Sequence, residues 1–348
     1  MDLLNRIVLI GNGFDLAHGL PTTYRDFIDW YMREAFDCFR KGTSYNDKLV
    51  ELKYKYAGSI TQFRPAKTLE EVVQMMASNS YQSINYKSKF FEHLIQLFYS
   101  GSWVNIEREY YQQLIKIFDN EPSTIEAIKL LNTEFDFMIE KLADFFKIVN
   151  AQMGDYKKLN FGGKNTNISK AFAQNAVAPV SFINFNYTDT LITHNYAYEH
   201  EVIYIHGRAA QMENNPIIFG YGDETDSNYQ KLENHGDDNC LNHIKSFAYL
   251  KTENYQKVMS LIDSDPYVVY IVGHSCGLSD RILLSEIFEH KNCNRIEIFY
   301  HQRPDRSDNF KEITQEISRH FKPANKGLMR RRVSYKDSNN VIPQNLSI

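Results

Sequence analysis

Hydrophobic positions along the chain fall into two patterns. Arg6-Ile7-Val8-Leu9-Ile10 and Tyr267–Val272 are apolar without alternation. Strands of that kind need both faces covered, which is the condition of a parallel sheet flanked by helices. Shorter runs at Val180–Phe185, Val202–Ile205, Ile217–Phe219 and Arg295–Tyr300 add four predicted strands. The second pattern has helical spacing and marks Leu69–Met76, Phe90–Tyr99 and Ile125–Val149, with Pro122-Ser123 suited to a helix start. Further helices are predicted over Ser246–Ile262, from an N-cap at Ser279 to His290, and over Phe310–Phe321.

The order of these elements predicts an α/β fold, a Rossmann-like, mostly parallel sheet. The stretch from Tyr24 to Gln174 is too long for an ordinary crossover of about a dozen residues. It reads as a large helical insertion after the first strand. The predicted domains are 1–30 with 175–348 for the sheet, and 31–174 for the insertion. Several strands end in short polar or glycine-rich loops, at 11–15, 184–189, 206–207, 219–223 and 273–280. Ligands in open α/β sheets bind outside the carboxyl ends of the strands, so these loops are expected to converge on one crevice. Asp223–Asn242 is polar and reads as a mobile loop.

Composition narrows the classes. With 43% hydrophobic and 24% charged residues, the 348-residue chain can build a core. Its 23 Tyr and 23 Phe suit thick helix packing. A net charge of -4 speaks against a nucleic-acid partner, and Arg330-Arg331-Arg332 reads as a solvated edge. The four cysteines form no CxxC pair and no disulfide-like spacing, which fits reduced thiols in the cytoplasm. The apolar run in Met1–Gly13 lacks the basic and small-residue features of a signal peptide. No apolar run approaches the roughly 20 residues of a membrane span, so no membrane partner is expected. His235, Cys240 and His243 lie near Asp237 and Asp238, but a polar loop explains them better than a metal, and none is expected.

The chemistry starts at Gly11-Asn12-Gly13-Phe14-Asp15. Two glycines directly after a buried strand permit a tight turn and a close approach of phosphate oxygens to backbone N–H groups. The third glycine of the dinucleotide fingerprint is replaced by Leu16, and no Walker motif is present. A plain tight turn explains the pair equally well.

The run from Gly11 to Phe27, GNGFDLAHGLPTTYRDF, resembles the signature of the bacteriophage abortive-infection AbiH family. More distantly, it resembles the first nucleotide-binding motif of sirtuins, with Gly11, Gly13, Gly19 and Pro21 in corresponding places and Tyr24-Arg25 near an aromatic-Arg pair. Asp15 stands where sirtuins have a serine. Three more segments follow in sirtuin order. Asn184-Phe185-Asn186-Tyr187 resembles the segment with the catalytic asparagine, which falls on Asn186. Ile205-His206-Gly207 resembles that of the catalytic histidine, which falls on His206. Gly273-His274-Ser275 resembles a segment touching the dinucleotide. The sirtuin zinc module is absent, so protein deacetylation is not expected. The acidic residue two places after the asparagine is Thr188, with Asp189 beside it.

This resemblance implies NAD as a substrate, cleaved to nicotinamide and ADP-ribose in antiviral defence, with Asn186 and His206 catalytic. It implies binding roles for Gly11, Asn12, Gly13, Asp15, Arg25, Tyr187, Asp189, Gly273, His274 and Ser275. A homo-oligomer or a phage-derived trigger would be its partners. The residue types suit such a cleavage, since an amide can hold ribose hydroxyls and water without charge, and an imidazole can accept a proton near neutral pH. Each has a plainer explanation, because Asn forms turns and a histidine can be satisfied inside a core. Two other readings stay open. Gly273-His274-Ser275-Cys276-Gly277 matches a G-x-S-x-G elbow, which would make Ser275 the nucleophile of a serine hydrolase. The chain could also bind a nucleotide as a non-catalytic sensor.

Overall fold

The computed structural model describes residues 4–41, 44–54, 70, 71, 74, 82–100, 104–120, 124–161, 167–173 and 178–345. The strands among them are β1 (Asn5–Ile10), β2 (Ser44–Asn46), β3 (Val50–Tyr54), β4 (Gln82–Tyr86), β5 (Val180–Asn184), β6 (Val202–Tyr204), β7 (Tyr267–Val272) and β8 (Cys293–Phe299). The chain divides into two compact units, one of residues 1–22, 146–229 and 243–348, the other of 23–145 and 230–242.

The first unit is built on a five-stranded sheet in the order β6-β5-β1-β7-β8, with every pairing parallel. The absence of alternation in β1 and β7 now has its cause. Ile7 and Leu9, with Tyr267, Val269 and Ile271, pack into the core on one face. That core includes Val258 and Ile262 from the helix Asn254–Ser264, Leu284 and Phe288 from Arg281–Glu289, and Ile313 and Ile317 from Phe310–His320. Val8 and Ile10, with Val268, Tyr270 and Val272, pack on the opposite face against Phe14, Phe172 and Leu191. Covering both faces removes the polar side that an alternating pattern would show.

The chain order of the strands gives the site its place. β1, β5 and β6 step outward on one side, then β7 returns to the other flank of β1. The direction of winding therefore reverses between β1 and β7, the point where open α/β sheets take their ligands.

In the second unit, helices Tyr24–Lys41, Lys89–Tyr99, Ile106–Phe118 and the first part of Thr124–Ala151 accompany an antiparallel sheet, β2-β3-β4. The expectation of an all-helical segment missed this sheet, whose strands are short and rich in polar residues. Other expectations are corrected in detail. Ile217–Phe219 forms no strand; Ile218 N–H donates to the His206 carbonyl at 2.8 Å, and an isolated bridge joins Tyr221 to Ile244. Asp223–Asn242 contains the helix Ser227–His235 and a 3-10 turn at Asp238–Leu241. The helix expected over Ser246–Ile262 breaks into Lys245–Ala248, a 3-10 turn at Tyr249–Lys251 and Asn254–Ser264. Arg332 of the basic cluster is buried, donating to the Phe288 carbonyl at 2.6 Å. Most of Leu69–Met76 lies outside the described residues. Among those described, no helix is long and apolar enough to cross a membrane.

Candidate active site at the carboxyl end of the sheet

Ile10 pairs with Asn184 on one side and Val272 on the other, Asn184 pairs with Tyr204, and Val272 with Phe299. This row crosses the whole sheet. One residue further, Gly11 N–H donates to Val272 O, Phe185 N–H to Ile10 O and Ile205 N–H to Asn184 O. Asn12, Asn186, His206 and His274 each follow the row by two residues. Parallel register alone therefore delivers the predicted polar residues of four strands to one level at the sheet's carboxyl edge.

The loops after β1 and β7 are in direct contact. Gly13 N–H donates to Gly273 O at 2.8 Å. A Cβ on Gly11 would fall 2.4 Å from His274 Cα, and one on Gly273 would fall 2.2 Å from the Phe14 nitrogen. Gly273 also has φ +72°, a conformation that favours glycine. The glycines thus meet the requirement of two backbones touching, and the Gly11 and Gly13 amides are spent on Val272 and Gly273 carbonyls. The helix that follows, Asn12–Ala17, is only six residues long.

Asp15 of that helix is fully buried. Its two carboxylate oxygens accept from the hydroxyls of Thr188 and Thr190, each at 2.6 Å. Burial pushes its carboxyl up to about 6, against the opposing effect of hydrogen bonds from Thr188, Thr190 and Asn186. Asn186 also donates its amide to the Gly11 carbonyl at 3.1 Å, which ties the β5 loop to the glycine turn. Asn184 shapes this loop: its Oδ1 accepts from Asn186 N–H, and its amide donates to Thr188 O. Asn12 accepts from the Thr22 hydroxyl at 2.6 Å.

A second buried cluster surrounds His206. Asp280 Oδ1 accepts from Lys245 Nζ at 2.7 Å and faces His206 Nε2 at 3.0 Å, while its Oδ2 lies 3.6 Å from His274 Nε2. Lys245 is completely buried, and Asp280 and His206 are nearly so. Burial alone would raise the Asp280 carboxyl, but Lys245 first and then His206 overcome it and hold it well below the usual range. Tyr249 OH lies 3.4 Å from His206 Nε2. The Phe185 ring packs on both imidazoles, 5.1 Å from His206 and 4.1 Å from His274, centroid to centroid.

Tyr187 is buried between the Phe146 ring at 5.0 Å and His206 at 6.4 Å. Asp189 accepts from Arg208 Nε at 2.6 Å and Tyr204 OH at 3.0 Å. Those two residues line a polar cleft of about 400 Å³ at the β6 edge, together with Glu199, Asn215, Asn254 and Lys257. Arg25, expected among the binding residues, belongs to the other unit, where it pairs with Glu70 and donates to the Phe98 carbonyl.

Asp280 and Lys245 stand outside the set of residues expected from sequence. Ser279, expected as the helix cap, instead lies in a 3-10 turn at Leu278–Asp280, and Asp280 occupies the cap position of Arg281–Glu289. The same geometry opposes a nucleophile elbow. Ser275 is exposed in a loop, its neighbours Gly273 and Cys276 rather than Ser275 itself have positive φ, and the helix starts only at Arg281. Among the described residues no group of three or more His, Cys, Asp or Glu side chains is arranged to hold a metal ion.

No curated protein and no solved structure matches the chain significantly, so the sirtuin likeness rests on the short motifs alone. The family model described as bacteriophage abortive infection AbiH matches residues 7–302, a span that runs from β1 past the end of β8 and takes in both polar clusters, and the chain belongs to that family.

Proposed function

We propose that this AbiH protein acts in phage abortive infection by hydrolysing NAD to nicotinamide and ADP-ribose at the carboxyl end of its parallel sheet. The observation that carries the reading is the convergence of Asn186, His206 and His274 on one level at the winding reversal, with His206 against a buried, ionised Asp280.

The chemistry asks for little acid catalysis. The C1′–N bond of the nicotinamide riboside breaks with its electron pair returning to a cationic ring, so nicotinamide leaves neutral. The ribosyl centre becomes oxocarbenium-like, and a water oxygen attacks it and loses a proton. Asn186 has its amide nitrogen engaged with Gly11 O, so it would hold a ribose hydroxyl or the water through Oδ1. His206 would take the proton, and the neighbouring Asp280 carboxylate would stabilise the imidazolium formed. Apolar burial around Phe185 and Tyr187 favours such charge interactions by excluding water.

The direct test is nicotinamide release from NAD by the purified protein. The cellular test is the NAD level during phage challenge in cells carrying the wild type or His206→Ala. The reading expects NAD loss and protection with the wild type only. Protection by the wild type with NAD unchanged would reject it.

A further inference from the structure

We infer that Asp280 and Lys245 act as an opposed pair of positioning residues for His206, the carboxylate orienting the imidazole and favouring its charged form, the ammonium limiting that charge. The role assigned to His206 in turnover rests on the proposed NAD cleavage; the charge coupling does not.

The geometry separates the two imidazoles that face Asp280. Cys276 N–H donates to His274 Nδ1 at 3.0 Å, so this nitrogen is an acceptor and Nε2 carries the proton turned toward Asp280. His206 Nε2 meets Asp280 at 3.0 Å and Tyr249 OH at 3.4 Å. His206 is the nearer of the two rings to the carboxylate, at 3.0 Å against 3.6 Å, and the one that meets the oxygen held by Lys245. Lys245 shares Oδ1 with His206, and it arrives from the short helix Lys245–Ala248, anchored where Lys245 N–H donates to Tyr221 O at 3.0 Å. A fully buried ammonium there holds Asp280 ionised before substrate arrives. It also repels a second positive charge on His206, so the histidine returns to its neutral form between turnovers. The other titratable groups around the carboxylate are Cys276, held as a thiol by burial, and His320, held neutral by burial while its Nε2 donates to Cys276 O at 2.8 Å. Arg281 is paired with Asp223 at 3.0 Å.

The test follows the His206 imidazole by isotope-edited NMR against pH in full-length protein, beside the acid limb of the NAD turnover profile. Asp280→Asn should move the His206 titration to lower pH, and Lys245→Met to higher pH, each by about one pH unit or more. Lys245→Gln replaces the methionine variant should that one not fold. A purely structural role would not shift one titration in opposite directions. Opposite shifts without NAD turnover in any variant would uphold the coupling and sink the proposed reaction. NAD turnover with a His206 titration unmoved, or moved the same way by both variants, would overturn the coupling and leave the reaction standing.

Discussion

The Gly13 amide donates to the Gly273 carbonyl at 2.8 Å, and neither residue has room for a side chain. A Cβ on Gly13 would lie 2.8 Å from that same oxygen, and one on Gly273 only 2.2 Å from the Phe14 backbone. Both obstacles are main-chain atoms, which cannot swing aside. Gly273→Ala adds the cost of φ +72° to the clash. It should lower unfolding free energy by about 3 kcal/mol or more, combining forced backbone shifts with a strained dihedral. Gly154→Ala, with nothing within 4 Å, is the control and should stay within about 0.5 kcal/mol. Urea midpoints of the two variants decide the matter; equal midpoints would mean that the two loops separate readily.

Replacing the proton acceptor tests the chemistry. His206→Gln should reduce NAD turnover by about 10²–10⁴-fold, the usual contribution of a positioned general base. Asn186→Ala should act mainly on kcat, because an amide that orients water or a ribose hydroxyl works on the reacting geometry. Nicotinamide release under single-turnover conditions measures both. A His206→Gln enzyme with unchanged kcat would remove the histidine from the mechanism.

Arg6 makes a separate claim about stability. Its guanidinium, buried at the amino end of β1, donates to the carbonyls of Lys170 at 2.7 Å, Ala173 at 2.6 Å and Ala178 at 2.8 Å, and more weakly to Ala171 at 3.4 Å. It thereby ties the segment preceding β5 to the sheet. Arg6→Met keeps much of the apolar stem and strands those acceptors. Since hydrogen bonds to charged groups contribute about 1.5–3 kcal/mol each, offset by the charge's own desolvation, a net loss of about 3 kcal/mol is expected. Denaturant unfolding of the two proteins reads it directly.

These contacts show what a sequence of this kind discloses. β1 and β7 were legible because a strand covered on both faces must be apolar at every position. The level of the loops was legible for the same reason, since parallel register converts strand ends into one edge; Asn186 and His206 are singled out within those loops by the sirtuin resemblance alone. Asp280 and Lys245 carry no local signal. They are joined by a contact across 35 positions, and each alone looks like an ordinary helix-end residue. β2, β3 and β4 escaped because Ser44–Asn46 and Gln82–Tyr86 contain few apolar residues to reveal an alternation. Arg25 shows the limit of motif matching: its place in the run suggested a nucleotide, whereas its described partners are Glu70 and the Phe98 carbonyl.

Asp15 predicts an unusual pH dependence. Its carboxyl is raised from 3.8 to about 6 by burial. Between those values the native state keeps a proton that the unfolded chain has released, so rising pH favours unfolding. The effect begins near 3.8 and is complete above about 6, where it reaches about 3 kcal/mol on the scale of 1.36 kcal/mol per unit. His18 and His320 work the other way. Burial lowers each from 6.5 to about 4, so the unfolded chain binds protons that the native one refuses, and stability rises with pH across that window. The wild type therefore shows the difference of opposed slopes. Asp15→Asn retains an acceptor and a donor for Thr188 and Thr190 while abolishing the ionisation. It should steepen the rise in stability between about pH 4 and pH 6, with little change at the acid end and up to about 3 kcal/mol gained near neutrality. Unfolding free energies across this range check the sign. A change equal at every pH would show that Asp15 ionises alike in the native and unfolded states, and a loss confined to neutral pH would show that hydrogen bonds favour its carboxylate more than burial disfavours it.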